Sequence, residues 1–175
     1  MVISTEMVKK LREETGAGIM DCKRALQEAG GDTAKARELL RQWGAASAAK
    51  KVGRETKQGT IISYVHHNGG VGRVGALVEI NCETDFVART DQFQQLAQRI
   101  AQHIVAAGPE YLREEDVPGD IDAEERQQIL RERVLLNQRF QGGQQTISDL
   151  LKEAISTLGE NIQVSRFCRF TLGGD

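Results

Sequence analysis

The chain has 175 residues, 39% hydrophobic and 27% charged, with a formal net charge of -2; this is a globular composition with room for one domain and a small attached module. So small a charge excludes a field that would gather nucleic acid by itself. Cys22, Cys82 and Cys168 stand far apart, odd in number and without a CxxC pair, which excludes a disulfide framework or zinc site and fits a reducing compartment.

The opening residues Met1-Val2-Ile3-Ser4-Thr5-Glu6 pass straight into a charged helical pattern without an apolar h-region. No apolar stretch reaches membrane-spanning length, so a cytoplasmic protein away from membranes is expected. Ser4 is placed to cap a first helix carrying Met7, Val8 and Leu11, and Gly16 to end it. Asp21 is expected to open a second helix that buries Cys22, Ala25, Leu26 and Ala29 and stops at Gly30-Gly31. Asp32 then caps a third, with Ala36, Leu39, Leu40 and Trp43 at helical spacing, which Gly44 is expected to end. Three amphipathic helices joined by glycine turns must pack together to hide their apolar stripes, giving a three-helix module over 1–44. Residues 45–58 are small and basic, with Lys50, Lys51, Arg54 and Lys57, and read as a partly helical linker.

From Gly59 the period changes to two. Thr60 to His66 and Val74 to Cys82 alternate around the turn signal Asn68-Gly69-Gly70, predicting a β-hairpin. Asp91 is placed to cap the strongest helix, where Phe93, Leu96, Ala97, Ile100, Ala101, Ile104 and Val105 keep the 3.6-residue period up to Gly108-Pro109. That helix must cover one face of the sheet. A weaker helix is predicted over 122–136, and Thr146 with Asp149 opens another that Gly159 ends. Ile162 to Leu172 alternates again and predicts a further strand. The expected fold is therefore α+β, a helical module followed by a 59–175 core in which helices cover a small antiparallel sheet.

Gly70-Val71-Gly72-Arg73-Val74-Gly75 matches GxGxxG, yet a strand and not a helix follows it, so these glycines read as shaping the hairpin and its bulge. His66 and His67 are neighbours on a strand and point to opposite faces, so they cannot chelate one ion together; a surface role at the hairpin end fits better. Histidine, cysteine and acidic residues show no nucleophile or ligand spacing, and no catalytic site, metal or cofactor is expected. The basic set of 45–58 lacks interleaved aromatics. It reads as a solvated face that an acidic protein patch could meet.

Two segments carry more than structure requires. In Gly16-Ala17-Gly18-Ile19-Met20, two large apolar residues follow a glycine turn, where a hydrophobic staple and a docking surface are equally compatible with the pattern. In Cys82-Glu83-Thr84-Asp85-Phe86-Val87-Ala88-Arg89, pattern alone favours Asp85 as a turn cap and Phe86 as a core residue. The competing reading is an exposed wedge that enters a partner's cleft.

Thr15-Gly16-Ala17-Gly18-Ile19-Met20-Asp21-Cys22-Lys23-Arg24-Ala25-Leu26 and Val78-Glu79-Ile80-Asn81-Cys82-Glu83-Thr84-Asp85-Phe86-Val87-Ala88-Arg89 closely resemble the two signatures of bacterial elongation factor Ts proteins, the guanine-nucleotide exchange factors of elongation factor Tu. The likeness extends to Leu150-Leu151-Lys152-Glu153-Ala154, Gly159-Glu160-Asn161-Ile162 and the Arg166-Phe167 region. It implies that the first module is similar to a ubiquitin-associated domain and docks on the partner through Ile19, Met20 and Lys23. It implies too that Thr84, Asp85, Phe86 and Val87 enter the partner beside its magnesium and phosphate site, reversing the pattern-only reading of Phe86.

Further contacts by Lys51, His66 and His67 carry over from the family, the histidines weakly because the 69–73 tip looks lengthened. Relative to long members the chain lacks a second core half and a coiled coil. Short members are expected to pair as homodimers, with Cys168 near the symmetric interface. The implied partner is elongation factor Tu, GDP-bound or nucleotide-free, with no direct nucleic acid. An adaptor that binds through the helical module alone and an RNA-binding translation protein are the competing classes.

Overall fold

The structure, a computed structural model, describes residues 3–174; Met1, Val2 and Asp175, the ends of the expected 1–44 and 59–175 spans, lie outside the described residues. The chain divides into two compact units, Met1–Gly53 with Lys152–Asn161, and Arg54–Leu151 with Ile162–Asp175.

In the first unit, α1 (Thr5–Thr15) starts where the Ser4 hydroxyl accepts from the Met7 amide at 3.2 Å, and ends at Gly16 with φ 68°. Glycine adopts that left-handed backbone without a Cβ clash, and its N–H donates to the Arg12 carbonyl. α2 (Ile19–Glu28) and α3 (Thr33–Ala49) follow, α3 capped by Asp32 as its sequence predicts. Val8, Leu11, Cys22, Ala25, Leu26, Ala36 and Leu40 form one buried cluster, with Leu39 and Trp43 half-buried beside it. Truncating a leucine as enclosed as Leu26 costs about 2–5 kcal/mol, so this cluster fixes the bundle.

Two boundaries differ from expectation. Helix α2 begins at Ile19 with Gly18 as its N-cap, two residues before Asp21, which instead supplies negative charge to the first turn. Helix α3 does not stop at Gly44 but continues to Ala49, so 45–49 belongs to the module and the linker shrinks to a turn ending in Gly53. Alanines at 45, 46, 48 and 49 are strong helix formers, and Ala48 is fully buried. Gly44 serves a different purpose: a Cβ there would stand 2.8 Å from the Ser156 hydroxyl of the Lys152–Asn161 segment.

In the second unit, β1 (Gln58–Asn68), β2 (Val71–Cys82) and β3 (Gln163–Thr171) form one antiparallel sheet in the order β1-β2-β3. Gly69 and Gly70, with φ 60° and 81°, make the two-residue turn. Opposite the His66/His67 step the register skips Arg73, the bulge expected around the glycines. The lengthened tip is thus ladder up to Asn68↔Val71.

A short helix, α4 (Asp85–Ala88), leads into α5 (Asp91–Ala107), which packs on β1 and β2. Phe93, Leu96, Ala97, Ile100, Ala101 and Ile104 are buried, as are Ala76, Val78, Ile80 and Cys82 on one face of β2. The α5 N-cap is Thr90 and not Asp91, because the Thr90 hydroxyl accepts from the Phe93 amide at 3.3 Å. Helix α6 (Ala123–Glu132) ends four residues short of the predicted 136, where Val134 leaves to bridge Tyr111. Tyr111, Val117, Ile129 and Val134 form a small satellite cluster there. Helix α7 (Ile147–Leu158) starts on the Thr146/Asp149 box, in which the Thr146 amide donates to the Asp149 carboxylate and the Asp149 amide to the Thr146 hydroxyl.

Candidate functional site

On the first unit, Ile19, Met20 and Lys23 lie on the outward side of α2, opposite buried Cys22, Ala25 and Leu26. Ile19 and Lys23 are one turn apart and share a face, with Met20 beside them. Ile19 is 53% exposed and Met20 74%, so neither acts as a staple against α2. Nearby in sequence, the Arg24 guanidinium stacks 4.2 Å from the Trp43 ring and also pairs with Glu28 at 2.9 Å. Lys51, half-buried, donates to the Ser47 hydroxyl.

On the second unit, the chain leaves β2 at Cys82 and turns through Thr84 into the single turn of α4. The Thr84 hydroxyl accepts from the Val87 amide at 3.4 Å and so caps the turn; Asp85 does not cap it but pairs with Arg89 at 3.1 Å. Phe86 is 81% exposed. The core assignment that pattern alone favours fails here because alternation points Cys82, not Phe86, inward, and within α4 Ala88 is the buried residue. Helical geometry then turns Phe86, two positions before Ala88, away from the core. Burying a phenylalanine side chain is worth about 1.5–3 kcal/mol, which this ring forgoes in the free chain.

His66 and His67 are exposed at the hairpin end, and His67 Nδ1 lies 3.1 Å from the Val65 carbonyl. Among the described residues no group of three His, Cys, Asp or Glu side chains is placed to hold a metal ion, and no helix is long and apolar enough to cross a membrane. Cations of the 45–58 segment have acidic neighbours, Arg54 with Glu83 at 3.6 Å and Lys57 with Glu55 at 2.8 Å.

The sheet face opposite the buried residues of β2 holds a surface of which the sequence pointed only to Cys168. By register, Val65, Gly75 and Phe170 form one row, Ser63, Leu77 and Cys168 the next, and Ile61, Glu79 and Arg166 the third. Ile61, Val65, Leu77, Cys168 and Phe170 are exposed, and Arg166 donates to Glu79 at 2.6 Å. The signal lay in Ala76-Leu77-Val78, apolar in both phases of the strand period, which marks a strand meant for cover on both faces.

The elongation factor Ts family model matches residues 38–139 and 83–175. The chain is 50% identical to elongation factor Ts of Fervidobacterium nodosum, over 99% of this chain and 100% of that one. It is 48% identical to the protein of that name from Carboxydothermus hydrogenoformans (98% and 90% covered) and 46% to that of Thermotoga petrophila (99% and 98%). This chain belongs to the elongation factor Ts family. It is a translation elongation factor, and its α+β core is that of the family. Within this family member the exposed residues of α2 and the Phe86 corner are the two candidate docking features, one on each unit.

Proposed function

We propose that the chain is the guanine-nucleotide exchange factor of elongation factor Tu, acting on the GDP-bound partner in the cytoplasm without catalysing a reaction and without a cofactor. The observation that carries this reading is the solvent-facing Phe86 ring on a one-turn helix, a large apolar group that the fold leaves unburied beside the Asp85 carboxylate. Ile19, Met20 and Lys23 dock the first module on the partner. Thr84, Asp85, Phe86 and Val87 enter beside the partner's magnesium and phosphate site and dislodge the ion.

The physics is a coupling between two ligands of one protein. A factor that binds best to a distorted nucleotide site weakens GDP, and GDP weakens the factor by the same ratio. Lost magnesium coordination leaves phosphate charge uncompensated in a low-dielectric pocket, and each 1.4 kcal/mol of such destabilisation is worth about tenfold in affinity. GTP then rebinds with magnesium, restores the site and expels the factor.

The factor works as a homodimer, and the open apolar face of the sheet supports this reading. A second copy laid on Ile61, Val65, Leu77 and Phe170 across a two-fold axis would bury them and bring Cys168 to the interface. Lys51, His66 and His67 are further partner contacts.

The test is to mix the purified chain with elongation factor Tu loaded with a fluorescent GDP analogue and follow the nucleotide. Release well above the unaided rate supports exchange; the unaided rate refutes it. An adaptor acting through the helical module alone requires all activity to disappear with residues 1–49, whereas exchange leaves the core with weaker binding and residual release.

A further inference from the structure

Four residues cannot hold a helical turn by themselves, because forming the first turn fixes several dihedrals for a single hydrogen bond. Around α4 the missing support comes from side chains. The Cys82 thiol donates to the Thr84 carbonyl at 3.1 Å and the Thr84 hydroxyl accepts from the Val87 amide. At the other end the Thr90 hydroxyl donates to the Val87 carbonyl at 2.8 Å, and the Gln94 side-chain amide to the Ala88 carbonyl at 2.7 Å. Three of these four donors or acceptors sit in the corner itself. Gln94 does not: it stands on α5, the long helix whose Phe93, Leu96 and Ala97 are fixed in the core of the second unit.

We propose that Gln94 is a positioning residue for nucleotide release, tying the carbonyl end of α4 to α5 so that Phe86 and Asp85 stand in one fixed direction. Phe86 has too little packing of its own to set its orientation, so the backbone of α4 sets it. A wedge that swings when it meets resistance loses part of the work it could do on a partner, whereas one held rigid delivers it. Gln94, half-buried, has no capping duty for α5, which Thr90 performs. This inference rests on the exchange reading above.

Gln94→Met keeps the length and helix propensity of the side chain and removes the donor. Stopped-flow release of a fluorescent GDP analogue from elongation factor Tu, over a series of factor concentrations, separates the maximal rate from the half-saturating concentration. The expected result is an about fivefold lower maximal rate, the effect of one hydrogen bond, with the half-saturating concentration within about twofold and a melting temperature lowered by no more than the about 2–4 °C that one hydrogen bond is worth. In a Phe86→Ala background the same substitution should slow release less than about twofold, since Gln94 acts through that ring.

Equal slowing in both backgrounds, a wild-type maximal rate in Gln94→Met, or a melting temperature lowered by more than the about 2–4 °C of one hydrogen bond overturns the inference. If Phe86→Ala loses acceleration while Gln94→Met does not, only this inference falls. If the unaltered chain fails to accelerate release at all, the exchange reading falls and takes this one with it.

Discussion

Phe86→Ala isolates the step on which the exchange reading depends. The ring is 81% exposed, so its removal leaves no cavity, and the stability change should lie within about 0.5 kcal/mol, the range of surface substitutions. A buried core phenylalanine would cost about 3–5 kcal/mol instead. On the exchange reading, the ring would recover in the complex the burial it lacks in the free chain, about 1.5–3 kcal/mol. If that energy is spent on distorting the partner's nucleotide site, its loss slows factor-stimulated GDP release about 10- to 150-fold. The assay is stopped-flow with a fluorescent GDP analogue on elongation factor Tu, with thermal unfolding of the variant run in parallel. A folded Phe86→Ala chain that accelerates release as well as the parent would refute the reasoning.

Met20→Asp places a charge in the outward face of α2, where the methionine is 74% exposed; the half-saturating factor concentration should rise about tenfold with the maximal release rate retained, as read by the same titration. Phe170→Glu puts a carboxylate in the open apolar row of the sheet without touching the core, and sedimentation should show the proposed homodimer dissociating while circular dichroism stays unchanged. His103 has its pKa lowered by burial, with the Gln138 hydrogen bond at 3.0 Å opposing that shift. Its folded pKa lies below its unfolded value, so the unfolded chain takes the proton first; the stability contribution is present above about pH 6.5 and is lost as pH falls below it. Urea midpoints should therefore decline from pH 7.5 to 5.5 in the parent and less steeply in His103→Gln.

Elements whose identity rests on local chemistry were legible in the amino-acid order. Ser4, Asp32 and the Thr146/Asp149 pair cap their helices as read, and Gly16, Gly108 and Gly159 end theirs with positive φ. What escaped was decided by tertiary contact. Gly44 looks like a stop, but its backbone stays helical because its missing Cβ admits Ser156, more than a hundred positions away. Gly59 gives no local hint that a Cβ there would collide with the Ile80 carbonyl across the ladder. For the candidate site, the residues of the corner could be named, whereas the exposure of Phe86 was not legible in the pattern alone and came only with the family resemblance: an aromatic after a strand reads as core until the phase of Cys82 and Ala88 is known. Gln94 escaped for the same reason, since its partner Ala88 lies six residues back across a cap and outside the i, i+4 spacing of one helix.

On the exchange reading, the size of the corner bears on why the factor could turn over. Reciprocity requires that whatever affinity the factor takes from GDP, the nucleotide takes from the factor. A broad apolar surface pressed into the nucleotide pocket would hold the partner empty, because GTP would have to overcome the whole of it to rebind. One exposed ring and one carboxylate on a four-residue helix limit the coupling to a few kcal/mol, within reach of a nucleotide arriving with its magnesium. The remaining affinity can reside in a surface that does not compete with nucleotide, and Ile19, Met20 and Lys23 belong to a different compact unit from Phe86. On the exchange reading, division of the chain into two units would separate how tightly the partner is held from how hard its nucleotide is pushed. Substitutions on α2 should move the first quantity and substitutions at the α4 corner the second.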